Sequence, residues 1–183
     1  VWVMLGKAQL TQGLVSDAIA SFIKANDASE YVAVIGAADT SGSHVELATY
    51  LVMCRKKVKE AHIDTSLIYA YAKSVQFAQL EEFISAPNVG RIQDVAERCY
   101  AEAMYEAAKI LFNSISNFAR LATCLMHLGE HQAAVDAARK ANSTRTWKEV
   151  NASCVEHQEF RLAQICALHI IVNPDELEEL IAS

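Results

Sequence analysis

Residues 140–150 read KANSTRTWKEV, and the same opening triplet stands at 24–26 inside KANDASEYVAV. In each copy a large aromatic follows the Asn by five positions, Tyr31 and Trp147, and a Val follows the aromatic by three, Val34 and Val150. Asn tolerates the left-handed conformation just beyond a helix C-terminus, and a Ser or Asp beside it can cap the next helix. The two stretches therefore read as one joint used twice. Each is the exit of a helical hairpin and the entry to the next, with Tyr31 or Trp147 the first large residue of the new helix to reach the core.

Working outward from that joint, an Ala preceding an apolar helical run falls at Ala18, Ala48, Ala78, Ala108, Ala134 and Ala163, at intervals of 30, 30, 30, 26 and 29. The clearest helix is MYEAAKILF, where Met104, Ala107, Ala108, Leu111 and Phe112 recur at i, i+3, i+4, i+7 and i+8 and make one apolar stripe. Each marked Ala is thus expected on a buried face, where a small side chain lets a neighbouring helix approach. About ten residues earlier stands a second small residue, Ala8, Ala38, Cys99, Cys124 or Cys154. The spacing predicts two helices per unit, with turns near Gly13, Gly42, Ser74, Glu102, Gly129 and His157. Near the end, NPDELEELI predicts one more helix, with Asn173 as N-cap, Pro174 at the first helical position and acidic residues in the first turn.

A hairpin of about 30 residues cannot bury its apolar face alone, so neighbouring hairpins must stack. The expected fold class is all-α, an α-solenoid of about six helical hairpins, with residues 1–183 a single helical-repeat segment of a longer array. Composition agrees: 52% of residues are hydrophobic and 21% charged, and only 2 Pro and 6 Gly interrupt a chain rich in helix formers. The net charge of −6 argues against a nucleic-acid partner, because neutralising phosphates requires a basic face. No apolar run reaches the 18 or so residues of a membrane span, and no leader-like start precedes Trp2, so a soluble chain is expected. The 5 Cys lack a CxxC pair and read as reduced thiols.

The motif most suggestive of chemistry is HLGEH, His127 to His131, which matches one zinc-peptidase pattern. That chemistry needs both His on one face of a continuous helix, and Gly129 occupies the place of a hairpin turn. Three CxxH pairs, Cys124/His127, Cys154/His157 and Cys166/His169, also share helix faces, but Cys124 and Cys154 fall with Cys99 at the repeat position and are better read as small core residues. Neither a Gly-rich phosphate loop nor GxSxG is present. The reading is of a non-enzyme with no catalytic, metal or cofactor residues. The densest positive cluster is RKKVK, which supplies Arg55, Lys56, Lys57 and Lys59. A looser one, Arg139, Lys140, Arg145 and Lys148, surrounds Trp147. Both are candidate docking sites for an acidic partner segment.

Two families come into view. The first hairpin meets much of the tetratricopeptide pattern with Trp2, Leu5, Gly6, Ala18 and Phe22, although Gln9 replaces the Tyr and the period is short of 34. RCYAEAMYEAAKILFNSISNFARLA, HLGEHQAAVDAARKANSTRTWKEV and EFRLAQICALHI, by contrast, resemble the clathrin heavy chain family, and the resemblance runs from VWVMLGKAQL to DELEELI. It implies a right-handed superhelix of hairpins, part of the proximal leg near the knee. The implied role is a structural scaffold that packs against other clathrin heavy chain legs into the polyhedral coat of vesicles. The implied partner is the clathrin light chain, lying along the leg. The implied location is cytoplasmic, at coated pits and vesicles, with membrane association only through the coat. A tetratricopeptide-like or vesicle-tethering adaptor that binds peptides is the alternative.

Overall fold

A computed structural model describes residues 1–172, so the helix expected from NPDELEELI lies outside the described residues. Among the described residues there are twelve helices and no strand. They are α1 (Trp2–Thr11), α2 (Val15–Ala25), α3 (Tyr31–Ser41), α4 (His44–Arg55), α5 (Ala61–Lys73) and α6 (Phe77–Ser85). There follow α7 (Ile92–Ala101), α8 (Tyr105–Ser114), α9 (Phe118–His127), α10 (His131–Ala141), α11 (Thr144–Glu156) and α12 (Phe160–Ile171). The fold is the all-α helical-repeat array expected from the spacing.

The chain forms two compact units, Val1–Cys99 and Tyr100–Ser183. In the first, α1 packs on α2, α3 on α4 and α5 on α6, while α4 also packs on α2 and on α5. In the second, α9 pairs with α10 and α11 with α12, and the hairpins stack through α9 with α11 and α10 with α12. Pairing with the next helix and stacking on the one after is how short hairpins bury a face that neither could bury alone. The α8 stripe shows the result: Ala107, Ala108, Leu111 and Phe112 are all buried, and Met104 stands at the N-cap.

Nine of the eleven joints between helices hold a residue in the left-handed region. Gly13, Gly42 and Gly129 supply three, Asn26 and Asn142 two, and Val75, Ala103, Ser116 and Gln158 the rest. The two KAN joints are the same device: Asn26 (φ 50°) and Asn142 (φ 47°) each close a helix in the left-handed conformation. The entries that follow differ. Ser143 is the N-cap of α11 and makes no side-chain cap bond, whereas in the first copy the N-cap is Glu30 and Asp27 instead accepts from the Ser29 hydroxyl at 2.7 Å. Val34, Val150 and Trp147 are buried, while Tyr31 is half-buried with its hydroxyl bonded to the Glu60 carboxylate.

The register inferred from a fixed 30-residue count needs two corrections. Burial falls five residues past the left-handed residue of each hairpin turn, as in Gly13 to Ala18, Ala103 to Ala108, Gly129 to Ala134 and Gln158 to Ala163. From Val75 the same count reaches Leu80, which is buried, whereas Ala78 is exposed. A longer connector between α4 and α5 had displaced the period. Ala8 is exposed as well; the close approach of α1 to α2 is made at Gly6, where a Cβ would lie 3.0 Å from two atoms of the Phe22 ring. Ala18, Ala48, Ala108, Ala134 and Ala163 are buried as expected, as are Ala38, Cys99, Cys124 and Cys154.

Candidate functional site

The two joints without a left-handed residue, 56–60 and 86–91, flank a cleft of about 700 Å³ within the first unit. Its geometry begins with Pro87. A residue before proline is pushed out of the α region, and Ala86 accordingly ends α6 in an extended conformation, φ −84° and ψ 157°. The chain then runs along the first turns of α5. Val89 N–H donates to Asp64 Oδ2 at 2.9 Å and Arg91 N–H to Thr65 Oγ1 at 3.0 Å. Asn88 folds the segment on itself, accepting from Gly90 N–H at 3.2 Å and donating to the Ala86 carbonyl at 3.0 Å. Position 90 sits so close to α5 that a Cβ would lie 2.7 Å from Ile68 Cδ1 and 3.3 Å from the Asp64 carbonyl carbon, so a side chain there must displace the end of Ile68.

Arg55, the last residue of α4, ties this frame together. Its Nε donates to Asp64 Oδ1 at 2.9 Å, its Nη2 donates to the Pro87 carbonyl at 2.6 Å, and its guanidinium lies 4.6 Å from the centre of the Phe83 ring. Asp64 is buried, so its charge requires a partner and two donors, and it has both. Arg55 is therefore engaged within the chain. Lys57 is too, since its ammonium donates to the carbonyl of Asn26, the left-handed cap of α2. Lys56 and Lys59 line the cleft, are exposed, and have no ion-pair partner among the described residues.

The walls between these cations and α6 are mostly apolar, formed by Val52, Leu67, Tyr71, Phe83 and Val89. Tyr71 and Phe83 meet edge to face with ring centres 6.2 Å apart. Burial, and the Glu82 carboxylate next, push the Tyr71 phenol above its ordinary value, so at neutral pH it keeps its proton and remains a hydrogen-bond donor.

The second cationic group is distributed over the end of α10 and the start of α11. All four side chains are exposed. Arg139 pairs with Asp136 at 3.6 Å and Arg145 with Glu149 at 2.9 Å, each one turn away on its own helix, and Lys140 lies 5.4 Å from the centre of the Phe118 ring. Lys148 is on the same helix as Arg145. Trp147 between them is buried and stacks on His169 at 4.2 Å, so it belongs to the core rather than to a surface patch.

Gly129, at φ +75°, separates the two His of HLGEH onto different helices. His127 stacks on Tyr105 at 4.4 Å and shares a 3.1 Å hydrogen bond with the Tyr100 hydroxyl, while His131 packs against His157 with ring centres 4.7 Å apart. The rings thus turn to different neighbours. All five Cys are buried, and burial pushes the Cys166 thiol up to about 12 and the Cys154 thiol above its ordinary value, which is the behaviour of core thiols and not of nucleophiles. Asp64, on which the cleft depends, was not among the residues singled out from the sequence. Its signal was a carboxylate set among the apolar residues of AHIDTSLIYA, nine positions after Arg55.

Comparison with known proteins accounts for the repeat. The family described as the region in clathrin and VPS matches residues 22–162. The clathrin heavy chain of Drosophila melanogaster is 58% identical over 181 residues, covering 99% of this chain and 11% of that protein. That of Dictyostelium discoideum is 55% identical over 181 residues, again 99% and 11%. Clathrin heavy chain 2 of Homo sapiens is 54% identical over 180 residues, 98% of this chain and 11% of its own length. The chain thus spans about a tenth of the curated relatives it matches. The tetratricopeptide reading of the first hairpin is not favoured, since the match runs on through both units at a period shorter than 34 residues. Hairpins set by left-handed joints, matched over most of their length, place the chain in the family of clathrin repeats, the region found in clathrin and VPS proteins.

Proposed function

We propose that the chain is a stretch of the leg of a clathrin heavy chain and that its work is mechanical. Such a leg packs beside other heavy chain legs in the polyhedral coat of vesicles, on the cytoplasmic side of the membrane, in endocytosis and intracellular transport. The observation that carries this reading is identity above half along nearly the whole chain to clathrin heavy chains of an insect, an amoeba and a human. The hairpins stacked within each unit support it, because repeats that contact mainly their neighbours leave lateral faces suited to many weak contacts. Residues 1–183 are on this reading one helical-repeat segment of a longer solenoid, with no catalytic role.

The partner surface in this reading is cationic and meets acidic residues of a clathrin light chain or a neighbouring leg. Lys56 and Lys59 contribute the charge that RKKVK leaves open, since Arg55 and Lys57 are engaged within the chain. Arg139, Lys140, Arg145 and Lys148 form the second contact group. Charges at the rim of an interface act mainly on association rate and salt dependence.

The test is a chimaera in which this chain replaces the 181 matched residues of the Drosophila heavy chain. The chimaera should bind light chain and assemble into cages, and Lys56→Glu with Lys59→Glu should weaken light-chain binding and flatten its salt dependence. A chimaera that is folded and trimeric but forms no cages would overturn the scaffold reading. Unchanged light-chain binding in the double variant would overturn the role of the two lysines.

A further inference from the structure

The geometry points to the cleft beside Arg55 as a binding site for a small aromatic monoanion, a ligand with a flat ring body and one carboxylate or sulfonate. This inference stands on the cleft alone and is independent of the coat reading.

A volume of about 700 Å³ falls within the range of small-molecule sites, which are mostly apolar with a few placed polar groups. Here the apolar part is the wall of Leu67, Tyr71 and Phe83 with Val52 and Val89 at its edges. The existing edge-to-face pair of Tyr71 and Phe83 offers a ligand ring a partner in the geometry that aromatic groups prefer. Three donors of the lining, the ammonium groups of Lys56 and Lys59 and the Tyr71 hydroxyl, have no hydrogen-bond partner among the described residues, while Gln79 and Glu82 add acceptor oxygens on the α6 side. Three unspent donors beside an apolar wall call for an acceptor carrying negative charge. The Glu82 carboxylate on α6 also lines the cleft and disfavours a ligand with more than one negative charge.

The cleft is also held open before anything binds. Asp64 fixes Arg55 on one side and the Val89 backbone on the other, Arg55 reaches on to the Pro87 carbonyl, and Gly90 is pressed against Ile68. The 86–91 connector and the end of α4 are thereby anchored to α5, so little ordering of the backbone remains to be done by the ligand. The internal ion pair also removes Arg55 and Asp64 from competition, leaving Lys56, Lys59 and Glu82 as the charges a ligand meets, with the positive sign in excess.

Naphthalene-2-carboxylate is the probe, titrated into methyl-labelled chain and followed by NMR, with naphthalene-2-carboxamide as its neutral counterpart. The carboxylate should shift the methyls of Val52, Leu67 and Val89 saturably and bind about tenfold tighter than the amide. Lys56→Gln with Lys59→Gln, both exposed, should lose about tenfold for the carboxylate and nothing for the amide. Val52→Trp, at the solvent edge of the wall, should block both ligands while leaving the thermal transition in place. The proposal is overturned by equal affinity of the two ligands, by an unchanged affinity in the double lysine variant, or by shifts confined to the exposed apolar side chains of α12, Phe160, Leu168 and Ile171.

Discussion

Asp64→Ala tests the frame on which both the connectors and the cleft depend. The carboxylate is 4% exposed and accepts from Arg55 Nε and from Val89 N–H, both at 2.9 Å. Breaking a buried pair by removing one partner costs about 3–5 kcal/mol, because the other charge stays behind without compensation. Arg55 is 33% exposed and keeps its bond to Pro87, so water and that carbonyl recover part of the loss. The expected cost is therefore about 2–3 kcal/mol. For a chain of this size that lowers the thermal midpoint by roughly 4–12 °C. Urea unfolding followed by circular dichroism measures the cost, with Arg55→Met and the double variant completing a cycle. The double variant should cost about 1–2 kcal/mol less than the sum of the singles, because removing both charges leaves neither stranded. A loss below about 0.5 kcal/mol for Asp64→Ala, or strict additivity, would refute the claim that this pair holds the end of α4 and the 86–91 connector to α5.

Gly36 and Gly129 make a matched pair, since an added Cβ meets nothing within 4 Å at either. Gly36→Ala, inside α3, should stabilise by about 0.5–1 kcal/mol, whereas Gly129→Ala, at φ +75°, should destabilise by about 1 kcal/mol; equal effects by denaturant titration would show that backbone conformation is not what separates them. Gly90→Ala should cost about 1–3 kcal/mol through overpacking on Ile68 and should perturb the amide of Val89 in NMR spectra, and a silent variant would mean that the 86–91 connector is not pressed onto α5. Burial raises the Cys166 thiol to about 12, so its contribution to stability is present below the unfolded thiol's value of about 8.5 and is lost as pH climbs toward 12. Urea midpoints should accordingly fall between pH 8.5 and 11, and less so in Cys166→Ala; parallel pH profiles would contradict a buried, protonated thiol.

Much of the architecture was legible because its determinants are local. A left-handed residue after a helix is a property of the residue and its neighbours, so KAN at 24–26 and at 140–142 announced the same joint twice. Apolar spacing of 3 and 4 residues announced α8, and Gly129 announced the break in HLGEH. Where the turn residue was Val75, Ala103 or Gln158, no composition signal marked it, and the expected turns at Ser74, Glu102 and His157 stand one residue early. Those three adopt an unfavoured conformation because the helices on either side are held by packing, and packing does not show in a sequence window.

The cationic clusters illustrate the same division. RKKVK was visible as a run of charge, but which of its charges face a partner was not. Arg55 finds Asp64 nine residues away and Pro87 thirty-two away, and Lys57 finds the carbonyl of Asn26 thirty-one away, so two of the four cations serve the fold. The sequence by itself determined the helices, their pairing into hairpins and most of their joints, since hydrogen bonding within a helix and the backbone preferences of Asn and Gly act over a few residues. Only the tertiary structure decided the register around Leu80, the cleft between the two extended connectors and the cations left to face solvent. These depend on side chains that meet across thirty residues of chain, and such meetings are set by how whole helices pack.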